Sequence, residues 1–78
     1  MNEEQLQAII EYRIAVRAYF SAFRETMASE DSSFQKIFND SNATLMTKRD
    51  NAIRVGIPLT IINSVYIEVE RQFFQMIL

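Results

Sequence analysis

From Leu59 onward the apolar residues follow a helical rhythm. Leu59, Ile62, Tyr66, Val69, Phe73 and Met76 recur at alternating three- and four-residue spacing, which sets six side chains on one seam. Ile61, Val65, Ile67, Phe74, Ile77 and Leu78 fill most of the remaining circumference. Only Thr60, Ser64, Glu68, Arg71 and Gln75 form a clear polar stripe. The pattern predicts a last helix over 58–78, and a helix apolar on most sides must be buried on most sides.

The start of the chain shows the same period. Asn2 followed by Gln5 makes a capping box, which opens a helix by satisfying two of its free backbone N–H groups. Leu6, Ile9, Ile10, Val16, Tyr19, Phe20, Phe23 and Met27 then carry it from Glu3 to Met27 or Ala28. Ser29-Glu30-Asp31-Ser32-Ser33 interrupts the pattern, and Ser32 with Gln35 forms a second capping box for a short helix bearing Phe34, Ile37 and Phe38. Asn39-Asp40-Ser41-Asn42 reads as a second interruption, because each of these side chains competes for nearby backbone groups. Leu45, Met46, Ala52, Ile53 and Val55 predict a third helix from about Ala43 to Val55. Gly56 ends it in the left-handed conformation, and Pro58 suits the first turn of the last helix, where a missing N–H costs nothing. The β-rich runs Ile61-Ile62 and Val65-Tyr66-Ile67 are the one place where a short strand competes. The expected fold is all-α over a single domain, 1–78. Two long antiparallel helices have one or two shorter helices between them, and self-association completes the core.

Composition narrows the chemistry. A chain of 78 residues forms one domain and is marginally stable unless something else reinforces it. It has no Cys and no His, which removes disulfides, thiolate chemistry, the commonest general base and the commonest metal ligand. Glu68 and Glu70 are two apart and point about 200° away from each other on a helix, so they cannot act together within one chain. There is no glycine-rich phosphate loop. These observations predict a protein that is not an enzyme and holds no cofactor or metal.

The net charge of −2 argues against a general electrostatic hold on nucleic acid. The acidic start, Met1-Asn2-Glu3-Glu4, is unlike a signal peptide, and no stretch reaches eighteen uncharged apolar residues. A cytoplasmic protein without membrane attachment is expected. Asn39-Asp40-Ser41 and Asn42-Ala43-Thr44 fit the glycosylation acceptor pattern and are read as cap and loop residues.

Three constellations carry functional weight. Ala52, Gly56, Ile57, Ile62 and Val65 are spaced 4, 1, 5 and 3, and this resembles the helix-turn-helix of DNA-binding proteins. The resemblance implies a recognition helix from Pro58 to Arg71 that shows Thr60, Asn63 and Ser64 to base edges. Lys48, Arg49 and Arg54 would then lie near phosphates. Against it, the recognition face has no Arg or Lys before Arg71, and Glu68 and Glu70 would repel the backbone. A plain Gly–Pro corner produces the same spacing.

Arg13, Arg17 and Arg24, with Ser21 between them, line one stripe of the first helix. They would either dock an acidic partner or RNA backbone, or form a solvated face paired with Glu68 and Glu70. Six Phe and three Tyr supply large side chains for a small core, or line a pocket between helices.

The reading that unites these features is a small protein–protein interaction module, a regulator, inhibitor or adaptor, working through helix packing as a homodimer. Leu59, Ile62, Tyr66, Val69, Phe73 and Met76 are its expected interface. A DNA-binding regulator using residues 43–71 is the alternative.

Overall fold

The computed structural model describes residues 1–28 and 32–77, and among these lie three helices, α1 (Glu3–Ala28), α2 (Ser32–Arg54) and α3 (Leu59–Ile77), and no strand. The all-α expectation therefore stands. The first capping box forms as the sequence predicts: the Asn2 N–H donates to Gln5 Oε1 at 3.1 Å and the Gln5 N–H donates to Asn2 Oδ1 at 2.8 Å. The second box involves Ser32, whose side chain lies outside the described residues, as do residues 29–31.

The middle of the chain differs from expectation. The two short helices are one continuous helix, α2, which runs straight through Asn39-Asp40-Ser41-Asn42. Phe34, Phe38, Ser41, Leu45, Lys48 and Ala52 alternate at spacings of four and three, so one unbroken register turns this face to α1. Phe38 is clamped beside Tyr19 and Phe23, with ring centroids 5.3 and 6.1 Å apart, while Leu45 and Ala52 lie in the core. Breaking the helix at 39–42 would release one anchor or the other. The polar side chains meanwhile bond locally or face water, as where Gln35 Nε2 donates to Asn39 Oδ1 at 3.2 Å. Packing has overridden a weak local preference. Both glycosylation-like patterns consequently sit inside a helix, which corrects their reading as loops.

Helices α1 and α2 run antiparallel. Thr26 Oγ1 donates to the Phe34 carbonyl at one end, and Lys48 pairs with Glu11 towards the other. Ala8, Ala15 and Ala22, seven residues apart and all buried, let the two backbones approach closely. Helix α3 returns along α1 in the same direction as α1. Gln5 meets Val55 at the joint, Arg13 meets Glu68 midway, and Phe20 meets Phe73 further on. The expected antiparallel pairing of first and last helices is thus replaced by a parallel one. With the two middle helices fused, the chain reverses only twice.

The core joins Ala8, Tyr12, Ala15, Val16 and Phe20 of α1 to Leu45 and Ala52 of α2 and to Ile57, Ile62, Val65 and Val69. Helix α1 is central: α2 packs along it extensively and α3 over a shorter stretch, whereas α2 and α3 hardly meet.

Candidate functional site

Because α2 and α3 separate as they leave their joint, a groove opens between them with α1 as its floor. Tyr12 and Tyr19 rise from α1, Asn42, Leu45, Met46 and Arg49 line the α2 wall, and Asn63 and Tyr66 line the α3 wall. The groove encloses about 380 Å³ and is open along one side. Tyr12 and Tyr19 are seven residues apart, two turns along one face. Asn42, Leu45, Met46 and Arg49 have the 3, 1, 3 spacing of a helix stripe.

Ring packing holds Tyr19 and Tyr66. Tyr19 lies edge-on to Phe20 at 5.3 Å, and Tyr66 rests on Phe20 at the same distance. None of the three hydroxyls hydrogen-bonds to another described residue, and none is a buried polar atom without a partner. They therefore open to water in the groove. Burial pushes the Tyr12 phenol above its ordinary pKa, and the positive charge of Arg49 partly opposes that shift. Burial also raises Tyr66, helped by Tyr19, Glu70 and Tyr12. At neutral pH both stay protonated and can donate. Arg49 has no ion pair with any described residue. The groove thus offers an apolar strip, three free hydroxyls, two amides and one unneutralised cation.

The fold distributes the expected interface residues over several environments. Ile62 and Val69 are 1% and 3% exposed and belong to the core against α1. Phe73 and Tyr66 are partly buried on Phe20, with Tyr66 also walling the groove. Leu59 is 52% exposed, and the Met76 side chain lies outside the described residues. Most of the seam therefore faces α1 of the same chain.

The joint resembling a helix-turn-helix is well formed: Ala52, Ile57, Ile62 and Val65 are all buried, and Gly56 takes a φ of +92°. Its supposed DNA contacts do not gather on one face. Lys48 Nζ is 3.6 Å from Glu11 on the α1 side, and Arg49 lies about 100° round the helix in the groove. Arg54 donates to Asn51 Oδ1 at 2.8 Å and sits 3.9 Å from Glu4. Thr60 and Ser64 are exposed, joined by a 2.7 Å bond from Ser64 Oγ to the Thr60 carbonyl, while Asn63 turns into the groove. On α1, Arg13 pairs with Glu68 at 3.1 Å, and Arg17 and Arg24 stay exposed.

Among the described residues no cluster of carboxylates could hold a metal ion, and no helix is long and apolar enough to cross a membrane. The chain matches no known protein-family model, no curated protein and no solved structure.

Proposed function

We propose that this chain is a small interaction module that receives an amphipathic helix of a partner protein in the groove between α2 and α3, and that it works as a homodimer. One observation carries the reading. Three helices enclose a core yet leave their second and third members apart, so the face where a fourth helix would pack is open and lined by Leu45, Met46 and the three tyrosines. Helical ligands dock in such grooves through an apolar stripe at i, i+3, i+4 and i+7. Arg49 selects a ligand with a carboxylate beside that stripe, and the free tyrosine hydroxyls give it hydrogen bonds. The surface supports the same reading. The accessible area is 5452 Å² for 9.1 kDa, against about 4,900 Å² for a typical monomer of that mass.

The test is titration with a synthetic amphipathic helix carrying a Leu/Phe stripe and one Glu, followed by NMR of the labelled chain. Shifts should centre on Tyr12, Met46, Arg49 and Tyr66, and Met46→Glu should abolish them by placing a charge in the apolar strip. Binding that survives Met46→Glu would refute the groove. Salt-sensitive, sequence-selective retardation of duplex DNA, lost on Arg49→Gln with Arg54→Gln, would establish the DNA-binding alternative instead.

A further inference from the structure

The outward face of α1 contains a second, separate pattern. Glu3, Gln7, Ile10, Ile14, Arg17, Ser21 and Arg24 are spaced 4, 3, 4, 3, 4 and 3, and every one of them is exposed. Alternating fours and threes form the seam of a coiled coil. It lies outside the seams through which α2 and α3 pack on α1, which run through Ala8, Tyr12 and Ala15 and through Val16 and Phe20, although Ile14 borders Thr44 and Lys48 of α2, and Arg17, Ser21 and Arg24 border Val69, Gln72 and Phe73 of α3. At its centre Ile10 and Ile14 are 50% and 60% exposed, with Leu6 beside them at 51%. Among the described residues, these three large aliphatic side chains on successive turns of one helix keep half or more of their surface open to water.

The ends of the seam are oppositely charged: Glu3 stands at its start, Arg17 and Arg24 at its finish. Such a seam is complementary to its own reverse. We propose that two copies of the chain pair α1 against α1 in antiparallel fashion about a two-fold axis between Ile10 and Ile14. Ile10 of each copy then meets Ile14 of the other, and Leu6 lies near Ala18. Glu3 and Gln7 reach the Arg17 and Arg24 side of the partner copy. A parallel pair would set acidic end on acidic end and basic on basic. A membrane surface would leave the acidic end unmatched. A second copy supplies both complements at once.

From Glu3 to Arg24 the seam is about 32 Å long at 1.5 Å per residue. One helix face of that length is at the lower end of stable interfaces, which bury roughly 800 Å² per partner. Association should accordingly be reversible and concentration dependent. This inference rests on the self-association part of the proposed function and is independent of the groove, which lies between the other two helices.

Light scattering and sedimentation across the micromolar range test it. The wild-type chain should approach twice its 9.1 kDa mass. Ile14→Glu should leave a folded monomer with an unchanged helical spectrum. Arg17→Glu with Arg24→Glu makes both ends acidic, and Glu3→Lys with Gln7→Lys makes both ends basic. Each double variant alone should associate about tenfold or more weakly, because like charges oppose across the axis. An equimolar mixture of the two should recover the dimer, and their combination in one chain should self-associate like wild type. A monomeric wild type overturns the proposal, as does a dimer indifferent to Ile14→Glu and to both charge variants. Failure of the mixture to recover association overturns it as well. Peptide binding in the groove, measured on Ile14→Glu, reports the other reading separately.

Discussion

Gln5→Glu separates a local rule from the fold most sharply. At the third helical position after an N-cap, a glutamate is the preferred partner of the capping box, and its charge favours the helix dipole by about 0.3–1 kcal/mol. Sequence rules alone therefore predict stabilisation. The fold gives the side chain a second task. While Oε1 accepts from the Asn2 N–H at 3.1 Å, Nε2 donates to the Val55 carbonyl at 3.0 Å, which ties the start of α1 to the end of α2. A carboxylate keeps the first bond but turns the second into an oxygen facing an oxygen. Losing a partly buried hydrogen bond and leaving its carbonyl without that donor costs about 1–3 kcal/mol. After the dipole gain, a net loss of about 1–2 kcal/mol is expected. For a domain of this size each kcal/mol lowers the melting midpoint by about 4–8 °C. Thermal unfolding followed by circular dichroism at pH 7 should show that drop. The deficit should narrow as the pH falls through about 4, where a protonated carboxyl can donate again. A midpoint equal to or above wild type at pH 7 would refute the reasoning and reduce the Gln5–Val55 tie to an incidental contact.

Three further outcomes follow from the same geometry. Ile62→Ala, at a 1% exposed position, should cost about 2–5 kcal/mol, whereas Leu59→Ala, at 52% exposure on the same helix and seam, should change stability by about 0.5 kcal/mol or less; equal losses in denaturant titrations would mean that α3 does not pack on α1 as described. Gly56→Ala should destabilise by about 1–2 kcal/mol, because φ is +92°, a conformation that L side chains rarely adopt; an unchanged unfolding midpoint would contradict it. Both Tyr12 and Tyr66 should titrate above the ordinary phenol value, so the stability they contribute is complete below about pH 10 and is lost as pH rises through their folded pKa values; Arg49→Gln should raise the Tyr12 transition further, which ultraviolet absorbance of the phenolate would show.

Much of the local structure was legible in the sequence. The Asn2–Gln5 box, the span of α1, the left-handed Gly56 and the helical period of α3 follow from spacing and capping chemistry, because such features are decided within one or two turns of chain. The continuity of α2 was partly legible too: the seam from Phe34 to Ala52 keeps its four-and-three rhythm, but Ser41 and Lys48 occupy it, and polar side chains at those steps hide the pattern from a reading that counts apolar residues. The groove residues were visible only in part. Tyr66, Arg49 and Asn63 stood among the candidates, and Tyr12 and Tyr19 among the aromatics that could line a pocket between helices, whereas Asn42, Leu45 and Met46 gave no cue that they share a cleft.

What only the tertiary structure decided is which face of each helix meets which neighbour. On α1 the large residues Leu6, Ile10 and Met27 look like core by hydrophobicity yet lie outside, while Ala8, Ala15 and Ala22 are buried. Hydrophobicity ranks residues by their transfer from water, but two helices approach closely only where side chains are small, and that selection depends on the partner surface. The direction of α3 has the same origin. Local signals set where α1 starts and where α2 gives way to α3; whether the first and last helices run parallel depends on the number of reversals between them, and that number changed when packing against α1 carried α2 unbroken through its polar middle.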